Sequence, residues 1–265
     1  MRINWFTPVP PVKSTAVDHT VQFLPRLLER FDLTLWTCQT EWDRDLARRV
    51  PIRYLDPYKV RWDEFNRADQ NIYQIANNSV LHGTIWDISR RHPGIAIIHD
   101  LNLHDLISGW YRLHDRLEYL LQMQRYYGRD GLRDGDRFWE DRLPADFMAK
   151  HYLLTSLGAQ NALGVLVHRQ DVFEQLRQDT LSHIAYVPLK ESIDTWLEAL
   201  TGLIDNTGRI QSERIAYHLT QRTGAELSLW MTPATRLLGL QRVAEEINLL
   251  ASEAQAPSTA EPLAA

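Results

Sequence analysis

The sequence predicts an α/β fold, in which a parallel sheet carries helices on both faces. Two continuous apolar runs, Ile95–Ile98 and Gly164–Val167, lack the polar alternation of a half-exposed strand and are typical of parallel strands buried on both sides. Segments with helical spacing of apolar residues separate the predicted strands, which is the pattern of βαβ units. The 265 residues are enough for one such domain with a sizeable core.

The predicted elements alternate along the first 190 residues. Strands are expected at Arg2–Phe6, Leu33–Thr37, Ile52–Leu55, Ile72–Ala76, Ile95–Ile98, Gly164–Val167 and Ile184–Val187. Helices are expected at Ser14–Arg30, Trp42–Arg49, Val80–Arg91, Leu101–Tyr127, Phe147–Asn161 and Asp171–Gln178. The charged, glycine-bearing stretch Gly128–Gly135 is predicted to be a loop.

The pattern changes after Pro188, where helices are predicted at 192–204, 212–223 and 232–252. The last of these carries an apolar stripe that needs burial, formed by Leu237, Leu240, Val243, Ile247 and Leu250. The final stretch is rich in Ala, Pro, Ser and Glu, which is typical of disorder. We therefore expect an α/β domain at 1–189, a helical extension at 190–252 and a disordered tail at 253–265.

Composition and charge argue against several classes of protein. The net charge of −5 and the pI near 6.1 give no basic character for binding nucleic acid. No apolar run of about 18 residues is present to cross a membrane, although peripheral membrane contact stays open. The single cysteine, Cys38, cannot form an internal disulfide, and a cytoplasmic location is expected. Walker A and GxGxxG strings are absent, which disfavours the common nucleotide-binding enzymes.

Polar residues follow several of the predicted strands. Open parallel sheets bind ligands at the carboxyl ends of their strands, so the loops that leave the sheet there are the places to look for a site. The candidate residues in and next to these loops are Lys13, Ser14, Asp18, Asn77, His82, His99, Asp100, His104 and Arg169.

Five short strings in these regions resemble the acceptor-side, N-terminal half of GT-B glycosyltransferases of group 1, or family 4. They are FTPVPPVKS at 6–14, YQIANNSVLH at 73–82, RHPGIAIIHD at 91–100, YYG at 126–128 and ALGVLVH at 162–168. They occur in the family's order over residues 1–189. The chain departs from the family at Thr15, where glycine is usual, and at Arg169, where serine is usual. The family's second, donor-binding half is not recognisable after Pro188.

The resemblance implies a hexosyl-transferring enzyme in which this half binds the acceptor. His99 and Asp100 would be the catalytic residues, with His99 meeting a sugar hydroxyl and Asp100 orienting it or accepting a proton. The substrate-binding residues would be Lys13, Ser14, Asp18, Asn77, His82, His104 and Arg169. No cofactor is implied beyond a nucleotide sugar as co-substrate. No metal site is expected, since His99 and His104 have no further ligand at suitable spacing.

Structural roles remain open for the same residues. Ser14, Asp100 and one of Asn77 and Asn78 are suitable helix caps. His99 is equally suited to the core, and Arg169 to a solvated surface.

The predicted function is that of a glycosyltransferase-like chain that binds a glycan or lipid-linked sugar acceptor. Its expected partners are that acceptor and either a donor-domain chain, which transfer would need, or a second copy in a homodimer. The alternative hypothesis is a non-catalytic, degenerate domain that serves as an interaction or regulatory module. Nine tryptophans, with Trp110 and Trp139 at the ends of an aromatic segment, suit a glycan or a protein partner.

Overall fold

The computed structural model describes residues 1–179, 183–188 and 190–219, with 208–219 as backbone only. Seven strands form its centre: β1 (Arg2–Phe6), β2 (Asp32–Thr37), β3 (Ile52–Tyr54), β4 (Gln70–Ile75), β5 (Ile95–Ile98), β6 (Gly164–Val167) and β7 (His183–Tyr186). They make one all-parallel sheet in the order β3-β2-β1-β4-β5-β6-β7. This is the Rossmann-like order with one more strand at its end, so the predicted fold class is confirmed.

Helices connect the strands and cover both faces of the sheet. They are α1 (Thr15–Arg30), α2 (Arg44–Arg49), α3 (Trp62–Phe65), α4 (Ser79–Arg91), α5 (His104–His114), α6 (Arg116–Trp139), α7 (Ala145–His151), α8 (Thr155–Gly158), α9 (Gln170–Asp179) and α10 (Ile193–Leu219). Among the described residues, none of these helices is long and apolar enough to span a bilayer.

The sheet separates two hydrophobic cores. Successive residues of a strand point to opposite faces, so Ile98 and Val167 pack beneath α4 to α9, whereas Ile97 and Leu166 pack on the other face. That second face is covered by α1, α2 and α10, with Leu24 at the centre of the α1 contact. The two cores fix the strand ends in position and thereby the loops that leave them.

The prediction of a loop at Gly128–Gly135 is wrong, because the structure places this stretch inside α6. Only Gly128 departs from helical geometry, with φ 65° and ψ −148°, and it bends the helix. A Cβ on Gly131 would lie 2.6 Å from the Cβ of Tyr127, and one on Gly135 would lie 3.1 Å from Cγ of Met123. The glycines therefore allow close packing within the bent helix and do not end it.

Three other predicted helices have different bounds. The helix expected at Leu101–Tyr127 is divided at Asp115, whose carboxylate caps α6 by accepting from Glu118 N at 3.1 Å. The one expected at Phe147–Asn161 is divided into α7 and α8 at Leu154, which has φ 55°. The helix expected at 212–223 is continuous with α10 as far as 219. The predicted helix 232–252 and the tail 253–265 lie outside the described residues.

The start of the expected helical extension packs on the α/β sheet. Trp196, Leu200 and Ile204 of α10 are buried in the core beneath β5 and β6. Arg26 of α1 forms an ion pair with Asp194 at 2.5 Å, which joins the two helices on that face. Residues 193–207 therefore complete one face of the sheet, while the domain boundary at 189 stays a prediction.

Candidate functional site

The candidate site lies at the carboxyl edge of the sheet. The strand order reverses between β1 and β4, and sheets of this kind bind ligands at such a reversal, outside the strand ends. The loops after β1 and β4 lead into α1 and α4 at this place, and the ends of β5 and β6 follow beside it.

Two histidines stand side by side at the ends of β5 and β6. The paired residues Ile98 and Val167 close the ladder between the two strands, and His99 and His168 are the next residues. Their ring centroids are 5.7 Å apart. The backbone N–H of His99 donates to the carbonyl of Ile75 at 3.0 Å, so the loop after β5 starts as a continuation of the sheet.

His19 of α1 and Trp196 of α10 join these two residues. The His19 ring centroid lies 4.5 Å from that of His168, 5.6 Å from that of His99 and 5.2 Å from that of Trp196. We call these four residues the histidine cluster. His19 is 4% exposed, His99 7% and His168 6%, so only a few atoms of the cluster are open to solvent.

Gln74 of β4 connects the cluster to a buried polar network. His99 Nε2 donates to Gln74 Oε1, and Gln74 Nε2 donates to Thr20 Oγ1 at 2.7 Å. Thr20 Oγ1 also accepts from the indole of Trp5 at 3.3 Å and lies 3.2 Å from Thr7 Oγ1. Because an amide oxygen only accepts, the neutral His99 carries its proton on Nε2 and its lone pair on Nδ1.

Several nitrogens of the cluster have no hydrogen-bond partner among the described residues. They are both ring nitrogens of His19, Nε2 of His168 and Nε1 of Trp196. The other nitrogen of His168 is engaged, since Nδ1 donates to the carbonyl of Val187 at 3.0 Å. Buried polar atoms are nearly always paired, so the interior of this cluster has unused hydrogen-bonding capacity, held in atoms that are closed to solvent.

Burial keeps the histidines of the cluster uncharged at neutral pH. Desolvation, with a smaller contribution from His168, lowers the pKa of His19 to about 3. Desolvation is also the main cause that lowers the pKa of His99 and of His168. A neutral imidazole has one donor and one acceptor. The cluster can therefore donate hydrogen bonds to hydroxyl groups and accept them, but it does not act as a cation.

Opposite charges follow the two strand-end histidines. Asp100, which is half-buried, accepts from the backbone N–H of Asn77 at 2.8 Å. Arg169 is exposed and donates to Asp171, with Nε 3.0 Å from Oδ1. The bonds to Asp171 raise the pKa of Arg169, and the charge of Asp100 adds to this effect. The rim of the site thus has a carboxylate and a guanidinium that interact electrostatically.

The other predicted residues near β4 have structural bonds. Asn77 Nδ2 donates to Asp105 at 3.1 Å and its Oδ1 accepts from Leu106 N at 3.0 Å, so this side chain holds the start of α5. Asn78 caps α4. His82 is buried, and its Nδ1 donates to the carbonyl of Gln74 at 2.8 Å. Desolvation lowers the pKa of His82 to about 4.

His104 lies in the hydrophobic core, which corrects the expected contact with a substrate. It has no exposed surface, its Nε2 is 3.0 Å from the hydroxyl of Tyr119, and its ring centroid is 5.2 Å from that of Phe138. The packing of α5 against α6 draws this side chain inward, because the first turn of α5 faces the core beneath α4 to α9. His104 therefore acts as a buried hydrogen-bonding residue.

The predicted substrate-binding residues in and next to the loop after β1 differ in role, since one caps a helix and two are exposed to solvent. Ser14 is the N-cap of α1, and its hydroxyl accepts from Val17 N at 3.2 Å. Lys13 and Asp18 are exposed around this helix start and remain free to meet a ligand, as does the side chain of Thr15.

Sequence reasoning missed His19, His168, Gln74 and Trp196 as members of one site. A signal was present for His168, since it follows a buried strand as His99 does. His19 and Trp196 gave no comparable signal, because each lies within a helical pattern.

Within the described ranges, no group of three or more His, Cys, Asp or Glu side chains is placed so that it could hold a metal ion. Comparison of the chain with protein-family models, with curated proteins and with solved structures found no match.

Proposed function

We propose that the carboxyl edge binds a glycan or a lipid-linked sugar, and that the chain serves as the acceptor-binding part of a glycosyltransferase. Transfer would use a donor-binding domain on a partner chain. The observation that carries the proposal is the pair of adjacent strand ends, His99-Asp100 and His168-Arg169, beside the reversal of the strand order.

The chemistry of these groups suits a hydroxylated ligand. A sugar hydroxyl donates one hydrogen bond and accepts others, and a neutral imidazole such as that of His99, which has one donor and one acceptor, complements it. Asp100 is more exposed than His99 and is suited to take the hydroxyl proton while the hydroxyl oxygen attacks the anomeric carbon of the donor. Arg169 is suited to the phosphate of a lipid-linked sugar.

The leaving nucleotide would be stabilised by the donor domain. Stabilising developing charge is usually the largest contribution to catalysis, so the acceptor-binding part alone supplies only orientation and a proton acceptor. The resemblance of the five strings to group 1 glycosyltransferases supports the same division of labour.

A glycan array probed with the purified chain tests the proposal. We expect saturable binding to a subset of glycans, and at least about tenfold weaker binding by Asp100→Asn, since a bond to a charged group is lost. Glu174→Gln, at an exposed position of α9, is the matched control and should bind glycans as tightly as the wild type does. Absence of binding to every glycan and to lipid-linked sugars, or equal binding by Asp100→Asn, would contradict the proposal.

A second function, as an interaction module, is favoured by a separate observation. Leu113, Leu117 and Leu121 are 81%, 66% and 48% exposed, and the last two lie one turn apart on α6. Adjacent exposed apolar side chains mark protein contacts. If this row joins two copies of the chain, sedimentation should show a dimer that Leu117→Glu converts to a monomer. A monomer at all concentrations would exclude the homodimer.

A further inference from the structure

A separate cavity of about 490 Å³ lies among α6, α7, α8 and α9. Its volume is in the range of small-molecule sites. None of its lining residues belongs to the carboxyl edge. The lining includes Arg125, Tyr126, Tyr127, Lys150, Ser156 and Asp179.

Two positive φ angles border this cavity. Gly128 bends α6 directly after Tyr126 and Tyr127. Leu154 has φ 55° and ψ 20°, the left-handed region, although it carries a bulky side chain that is buried. The backbone N–H of Leu154 donates to the hydroxyl of Tyr127 at 2.8 Å, and this bond fixes Leu154 against α6 at the edge of the cavity. The left-handed conformation of a non-glycine residue such as Leu154 costs about 1–3 kcal/mol, and such residues are concentrated at ligand sites.

A carboxylate held by neutral donors lies on one side of the cavity. Asp179 Oδ2 accepts from Ser156 Oγ at 2.6 Å and from Gln175 Nε2 at 2.7 Å. These bonds orient Asp179 without neutralising it. Arg125 and Lys150 are exposed and form no ion pair with any residue that the structure describes. The cavity thus has one oriented hydrogen-bond acceptor, Asp179, and two cationic side chains that no described carboxylate neutralises.

The chemistry of these groups is suited to two parts of one ligand. Aromatic rings pack against the C–H faces of a sugar, and the carboxylate and the amide bond its hydroxyls. The guanidinium and the ammonium bind an oxyanion. We propose that this cavity binds a sugar that carries a phosphate or carboxylate group.

The cavity is joined to the loop that begins at His99. Thr155 Oγ1 donates to the carbonyl of Leu101, and Leu103 N donates to the carbonyl of Leu153 at 2.8 Å. The inference rests on the proposed function only for the choice of a sugar as the body of the ligand.

Titration of the full chain followed by NMR tests the proposal with four probes: glucose 1-phosphate, glucuronate, glucose and inorganic phosphate. We expect saturable binding of glucose 1-phosphate, glucuronate or both, and the stronger one identifies the anionic group. Glucose and inorganic phosphate should bind at least about tenfold more weakly, because each has only one half of the recognised chemistry.

Variants assign the binding to this cavity. Arg125→Ala should weaken binding about tenfold, the effect of one lost charge-assisted bond. Tyr126→Leu should weaken it while the circular dichroism spectrum is unchanged. Arg129→Ala, four residues further along α6 and outside the lining, is the matched control and should keep the wild-type affinity.

Three results would overturn the proposal: no saturable binding of either charged sugar, equal binding of inorganic phosphate and glucose 1-phosphate, or equal losses for Arg125→Ala and Arg129→Ala. Its failure is distinct from failure of the proposed function, because Asp100→Asn is read out with glycans at the carboxyl edge, whereas Arg125→Ala is read out with charged monosaccharides at this cavity.

Discussion

His99 and His168 stand side by side because β5 and β6 pair in register up to the residues directly before them. Their side chains therefore point to the same face of the sheet, where His19 of α1 lies within 4.5 Å of the His168 ring centroid. This relationship makes the ends of two strands and the start of a helix one site.

Gln74 should be important for stability, although it makes only two side-chain hydrogen bonds. Gln74→Leu would leave His99 Nε2 without a buried acceptor and would remove the bond to Thr20. We expect a loss of about 1–3 kcal/mol in the free energy of unfolding, measured by urea denaturation. The exposed Gln170→Leu is the control and should stay within about 0.5 kcal/mol of the wild type. Equal effects of the two substitutions would contradict the buried network.

His92 and His104 should make the fold sensitive to acid. Desolvation lowers the pKa of both from 6.5 to about 4. Between these values the unfolded chain binds protons that the folded chain does not, so stability falls as pH decreases through this window. The loss is at most about 1.4 kcal/mol per pH unit for each residue.

Urea denaturation at several pH values measures this dependence. His104→Asn should destabilise the protein at neutral pH but show a shallower decline toward acid, because one titrating group is removed. The wild-type chain is the reference. Identical slopes for the two proteins would show that His104 does not contribute.

The packing of α10 on the sheet can be tested within that helix. Leu200 is fully buried, so Leu200→Ala should cost about 2–5 kcal/mol. A Cβ at Gly202 would meet nothing within 4 Å, so Gly202→Ala should stabilise the helix by about 0.5–1 kcal/mol. If α10 covers the sheet, the midpoint temperature of thermal unfolding should fall for Leu200→Ala and rise for Gly202→Ala. Shifts of the same sign would contradict this packing.

Strands were predictable from the sequence because their signal is local. Ile95–Ile98 and Gly164–Val167 are apolar throughout, and burial on both faces requires that pattern wherever the strand lies in the sheet. The Gly128–Gly135 stretch was not predictable. Glycine weakens an isolated helix, but here Gly131 and Gly135 accommodate side chains of the same helix across its bend.

The site was predictable only in part, for a related reason. His99 and Asp100 could be selected because they end a strand, and the carboxyl end of a parallel strand is a general place for a site. The meeting of His19 with His168 depends on the order of β1, β4, β5 and β6, which no local pattern shows. The resemblance implies that His104 binds substrate, whereas helix packing buries it beside Tyr119.

The most direct test of the central claim is whether a glycan reaches the strand-end histidines. This contact can be measured by imidazole ¹H–¹⁵N NMR spectra of His99 and His168. The spectra are recorded with increasing amounts of the glycan that binds most tightly on the array. Binding at the carboxyl edge predicts saturable shifts of both residues with one shared dissociation constant, which should be at least about tenfold larger in Asp100→Asn. Saturable glycan binding that leaves both imidazoles unchanged would contradict the account.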